Sequence, residues 1–119
     1  MQYQSTRNQN LKAGSAQAVL NGLAPDGGLY TMLSFDEARF DYRDVLNLDT
    51  FSMSARILSK LLPDFSEQEM TSLVRAGYEG KFESDHLTPS VPVGEDFILE
   101  LFRGPTSAFK DVALSMLPR

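Results

Sequence analysis

The chain has 119 residues, 42% of them hydrophobic and 23% charged, with a formal net charge of -5. That composition suits a chain with one packed core, not a disordered tail, and the length fits a single domain. Eleven basic residues scattered singly exclude a nucleic-acid stripe, the lack of cysteine excludes disulfides and thiolate metal centres, and a lone histidine, His86, cannot seed a zinc site.

The first ten residues, MQYQSTRNQN, are polar and lack the apolar core of a secretory signal, and no apolar run is long enough for a membrane span. With no cysteine, these features fit a reducing, cytoplasmic setting. Residues 2–7 read as a short strand with Tyr3 as its packing residue. Ser15 reads as the N-cap of a helix over AQAVLNGL, with Ala16, Val19, Leu20 and Leu23 at helical spacing and Gly22 near its end. The stretch 22-GLAPDGGLY-30 is dense in turn formers: Pro25 fixes φ, Asp26 can bond nearby backbone, and Gly27 and Gly28 can take φ > 0. Leu29 and Tyr30 then read as anchors pinning this loop to a core.

Residues 34–48 show only short helical turns. Over 50–62, Phe51, Ser54, Ile57, Leu58, Leu61 and Leu62 follow the spacing of an amphipathic helix, which Pro63 follows. Ser66 and Glu69 form a capping-box pattern ahead of Met70, Leu73, Val74 and Tyr78, with Gly77 or Gly80 ending that run. Residues 81–90 are polar and read as a linker or surface crossing. Two strands, 91–93 and 97–102, flank a Gly94-Glu95-Asp96 turn, with Pro92 confined to an edge or a strand end.

A last helix is expected to begin around Ser107. Phe109, Val112, Ala113, Met116 and Leu117 form its apolar stripe, and Ala108 and Leu114 widen it. A helix apolar around most of its girth belongs inside a larger body. The chain is therefore expected to be a piece of a longer protein, or to self-associate through residues 109–117.

Lys110 lies one turn into that helix, between Phe109 and Asp111. One reading is a solvated Lys–Asp pair. The other starts from the positive end of the helix dipole, which with apolar neighbours disfavours an ammonium and favours a neutral amine able to condense with an aldehyde. Asp111 opposes the second reading if its carboxylate faces the amine. Gly104 allows close backbone approach, and Thr106 or Ser107 could cap the helix or bond an anion there.

The string 101-LFRGPTSAFKD-111 resembles the pyridoxal-phosphate lysine motif of the threonine synthase family, Leu-Phe-His-Gly-Pro-Thr-x-Ala-Phe-Lys-Asp. The strings 4-QSTR-7 and 18-AVLNGLAPDGGLY-30 resemble the same family's amino-terminal signature, and the helical pair across 50–80 fits its opening helical region. The resemblance implies an α+β fold: a mainly helical amino-terminal domain with short strands over 1–82, then, over 83–119, the start of the α/β fold-type-II architecture. It implies conversion of O-phospho-L-homoserine and water to threonine and phosphate.

On this resemblance Lys110 is the catalytic lysine and holds pyridoxal 5'-phosphate as a Schiff base. Phe109 and Asp111 shape the cofactor site, and Thr106, Ser107 and Arg103 are candidates for substrate or anion contact. Arg103 stands where the family has histidine; it can bind phosphate or carboxylate but cannot shuttle protons near neutral pH. Nothing in the 119 residues resembles the family's glycine- and asparagine-rich phosphate loop, so the chain alone is expected not to turn over substrate. Two other readings stand beside this one: a related phospho-lyase that releases a 2-oxo acid, and a docking or subunit-interaction module without catalysis.

Overall fold

The computed structural model describes residues 1–118. The predicted first strand forms β1 (Tyr3–Ser5), the central strand of an antiparallel sheet. On either side lie β2 (Lys12–Ala13) and β3 (Tyr30–Met32), with Tyr3 opposite Ala13 and Met32. Tyr3 is half-buried, and its hydroxyl donates to the Leu61 carbonyl at 2.6 Å, which joins the sheet to the helices.

Helix α1 (Ser15–Asn21) starts one residue earlier than the sequence suggests, with Gly14 at the N-cap. The cap comes from across the fold: the Ala16 amide donates to the Asp64 carboxylate at 2.9 Å, and the buried Ser15 hydroxyl accepts from the Asp64 amide at 3.3 Å. Asp64 Oδ2 lies 2.6 Å from where a Cβ at residue 14 would stand, so only glycine leaves it room. Gly22 ends the helix at φ +68, as its position predicts. Strand β3 (Tyr30–Met32) follows, then two 3-10 turns, Asp36–Ala38 and Tyr42–Asp44, in the region expected to hold only short turns.

The helical pair matches the expected spacing closely. Helix α2 (Thr50–Leu61) is capped by Asp49, which accepts from the amides of Phe51 and Ser52 at 3.0 Å each. Helix α3 (Glu67–Tyr78) carries the full capping box: Ser66 Oγ accepts from the Glu69 amide at 3.2 Å, and Glu69 accepts from the Ser66 amide at 2.9 Å. Ala55, Met70, Val74 and Tyr78 are buried between these helices. The run ends at Tyr78, with Gly80 at φ +69 just beyond.

Residues 81–90 are more than a surface crossing. Leu87 is buried in the α2–α3 core, and Phe82 meets Tyr78 edge-on with ring centroids 5.8 Å apart. A single apolar plug among polar neighbours has no periodicity, which is why spacing misses it. The hairpin of β4 (Ser90–Val93) and β5 (Asp96–Leu99) pairs Val93 with Asp96, so the turn is the two residues Gly94 and Glu95, and the second strand stops at Leu99. Every residue of both strands is exposed.

The apolar spacing of the first helix and the anchor reading of Leu29 both mislead. Leu20 is 81% exposed and Leu29 is exposed too, while the small residues Ala24 and Gly28 are the buried ones. The last helix differs most. Helix α4 covers only Asp111–Leu114, because Ser107 sits at φ +57 and the Asp111 side chain binds the backbone ahead of it. Among the described residues, no helix is long and apolar enough to cross a membrane.

Candidate functional site

Residues 104–111 form a loop closed on itself. Asp111 is 3% exposed, and its two carboxylate oxygens accept from one residue: the Thr106 hydroxyl at 2.6 Å and the Thr106 amide at 2.8 Å. The Ser107 amide donates to the Gly104 carbonyl at 3.1 Å, and the Asp111 amide to the Ala108 carbonyl at 3.0 Å. Gly104 leaves room for Asp111: a Cβ there would lie 2.5 Å from the Asp111 carboxylate. The Thr106 hydroxyl and then its amide hold the Asp111 carboxyl below its ordinary pKa.

Lys110 is the N-cap of the four-residue α4, not a residue of a formed first turn, so the dipole argument for a neutral amine has little helix to act through. Asp111 faces Thr106 and leaves Lys110 alone. Among the described residues no carboxylate pairs with the Lys110 side chain. Lys110 and Phe109 are both exposed, and they border a groove of about 670 Å³ walled by Leu58, Leu62, Met70 and Val112. The groove floor is fastened to the core where Tyr78 Oη donates to the Val112 carbonyl at 2.9 Å.

Arg103 lies just ahead of the loop and is already engaged. Its guanidinium bonds Glu83 at 2.8 Å and Glu100 at 2.7 Å and stacks 5.2 Å over the Phe102 ring. The Glu83 and Glu100 hydrogen bonds raise its pKa further. The structure thus gathers Thr106, Ser107, Phe109, Lys110 and Asp111 in one loop, with Arg103 tied to neighbouring carboxylates.

The residues of 4-QSTR-7 and of the glycine-rich turn form a second hydrogen-bonded unit. Asp26 accepts from the buried Ser5 hydroxyl at 2.8 Å and from the Gly28 amide at 2.9 Å, and its pKa is lowered by the Gly28 bond first and Ser5 second. Thr6 Oγ1 accepts from the Leu29 amide at 3.0 Å, and Arg7 donates to the Asp26 carbonyl at 3.1 Å. Spacing gave no sign that Ser5 and Asp26 meet, since twenty-one residues separate them. Helical spacing marks Tyr78 as a core residue, but its bond to the lysine-bearing segment has no signal in the sequence.

A family profile described as "Threonine synthase N terminus" matches residues 2–78. The chain is 30% identical to threonine synthase of Methylobacillus glycogenes over 98% of its own length and 27% of that protein's. Among solved structures, PLP-bound threonine synthase from Brucella melitensis superposes with a TM-score of 0.80 at 33% identity, over 98% of this chain and 26% of that one. The yeast threonine synthase structure gives a TM-score of 0.83 at 31% identity, over 98% and 25%. The mixed helices and short strands are therefore those that open a fold-type-II pyridoxal-phosphate enzyme. More particularly, the chain belongs to the threonine synthase family, and it matches that family's amino-terminal part. It spans about a quarter of the length of the curated relatives it matches.

Proposed function

We propose that the chain is the amino-terminal part of a pyridoxal-phosphate-dependent threonine synthase, whose complete form converts O-phospho-L-homoserine and water to threonine and phosphate in the cytoplasm. The observation that carries this is the presentation of Lys110: an amine with no carboxylate partner among the described residues, beside an exposed aromatic ring, on a loop locked from beneath. A primary amine so placed fits an aldehyde cofactor. Pyridoxal phosphate, when bound, supplies an electron sink that lets protons leave carbon.

Lys110 is the attachment point, and its Nζ holds and moves the protons once substrate has displaced it. Phe109, 65% exposed, offers an apolar wall beside the amine. Ser107, exposed at the crest of the loop, is better suited to substrate contact than Thr106, whose hydroxyl is donated to Asp111. Arg103 is a weaker anion ligand than an unpaired guanidinium, because two carboxylates already neutralise it. Residues 1–82 serve as the amino-terminal helical domain, and 83–119 begin the cofactor-binding part. Nothing in these 119 residues resembles the family's phosphate loop, and turnover is therefore assigned to the complete protein.

The test is the full-length protein incubated with pyridoxal phosphate and O-phospho-L-homoserine. Threonine with phosphate is the expected product. Release of 2-oxobutyrate and ammonia would reassign the protein to the phospho-lyase reading, and no reaction without cofactor capture at Lys110 would favour the docking module.

A further inference from the structure

The residue after the lysine has its polar atoms committed elsewhere. Asp111 Oδ1 and Oδ2 accept from the hydroxyl and the amide of Thr106 at 2.6 and 2.8 Å, with the side chain buried. Gly104 covers it closely, a Cβ there falling 2.5 Å from Asp111 Oδ2. Ser107 meanwhile holds φ +57, a conformation that costs a non-glycine residue on the order of 1 kcal/mol and persists only where its surroundings over-determine it. The Asp111–Thr106 pair straddles Ser107 and supplies that constraint. Lys110 leaves the backbone one residue before the clamp, so any slip of the loop displaces its amine.

We propose that Asp111 is a positioning residue: it acts through Thr106 to fix the backbone from which Lys110 reaches its aldehyde partner, and it does not itself touch that partner. This rests on Lys110 being the attachment lysine. Geometry, not charge, is what Asp111 contributes. An asparagine can reproduce it, its oxygen accepting from the Thr106 amide while its NH2 donates to the Thr106 hydroxyl oxygen. A carboxylate that contacted the cofactor directly could not be replaced in that way.

The experiment compares full-length wild type with D111N, D111A, T106V and T106S. It measures hydrogen exchange across 104–111, the rate of borohydride-trapped pyridoxal phosphate at Lys110 by peptide mapping, and kcat against KM. T106V and D111A should loosen exchange in the loop and slow trapping by on the order of 10- to 100-fold, the scale of roughly ångström misplacement. The fall in activity should lie in kcat, with D111N losing less than D111A and T106S losing less than T106V. Should D111A fail to fold, T106V against T106S carries the comparison.

Two results overturn the proposal while leaving the lysine assignment intact: wild-type trapping rates in T106V, or D111N as impaired as D111A. Absence of trapping at Lys110 in wild type is a different failure, since it removes the lysine assignment and this proposal with it.

Discussion

Tyr78 Oη donates to the Val112 main-chain carbonyl at 2.9 Å, fastening the end of α3 to the segment that follows Lys110. Gly77 completes the approach, with Met116 Sδ 3.2 Å from where its Cβ would stand. The hydrophobic core and the lysine-bearing loop are thereby one mechanical unit. Tyr78→Phe keeps the ring and leaves the Val112 carbonyl without its partner. The expected cost is about 1–3 kcal/mol, read as a shifted denaturation midpoint. A midpoint equal to wild type would show that water replaces the hydroxyl at no cost.

Gly28 is buried against the Ser5–Asp26 pair, and a Cβ there would overlap Ser5 Oγ. Gly28→Ala should destabilise by roughly 1–3 kcal/mol through overpacking, measurable by urea unfolding. Combining it with Ser5→Gly, which vacates the space, should recover part of the loss of packing. An additive double mutant would contradict the contact.

The acid response follows from four depressed carboxyls. Asp26, Asp49, Glu69 and Asp111 all have folded pKa values below their ordinary ones, each through hydrogen bonds that favour the charged form. A depressed folded pKa contributes stability that is present above the unfolded value, near 4, and is lost as pH falls through the folded one. Stability should therefore drop below about pH 4. Asp49→Asn together with Asp26→Asn should flatten that drop. At the alkaline end, burial raises the Tyr78 hydroxyl pKa, so stability should fall as pH rises past the ordinary phenol value near 10.

Leu114 and Leu117 are exposed beside the groove, as is Phe109. The isolated 119-residue chain should self-associate through this face, with light scattering giving a mass that rises with concentration. Leu114→Glu with Leu117→Glu should return it toward monomer. A monomeric wild-type chain at all concentrations would contradict this.

The capped helices were the most legible part of the fold. Phe51 to Leu62 repeat at helical spacing, and Ser66 with Glu69 marks a helix start by a local, reciprocal pair of bonds that any reader of sequence can see. Leu87 was illegible because burial of a lone apolar residue depends on what folds over it. The last helix is shorter than its apolar stripe implies because its start is decided by Asp111 reaching back to Thr106, a side-chain contact that competes with helical bonding. Leu20 has helical spacing and Leu29 reads as a loop anchor, yet both lie open to solvent. Of the candidate site, residue identities came from the motif. What the motif did not contain was direction: Asp111 and Thr106 turn toward each other, and Lys110 borders the apolar groove with no carboxylate partner among the described residues.

Attachment of pyridoxal phosphate at Lys110 can be read directly. Full-length protein should be incubated with pyridoxal phosphate, reduced with borohydride, digested and mapped by mass spectrometry. One dominant pyridoxyl label is expected on Lys110, lost in Lys110→Ala and not transferred to Lys12, Lys60 or Lys81. A dominant label on another lysine, or no specific label at all, would contradict it.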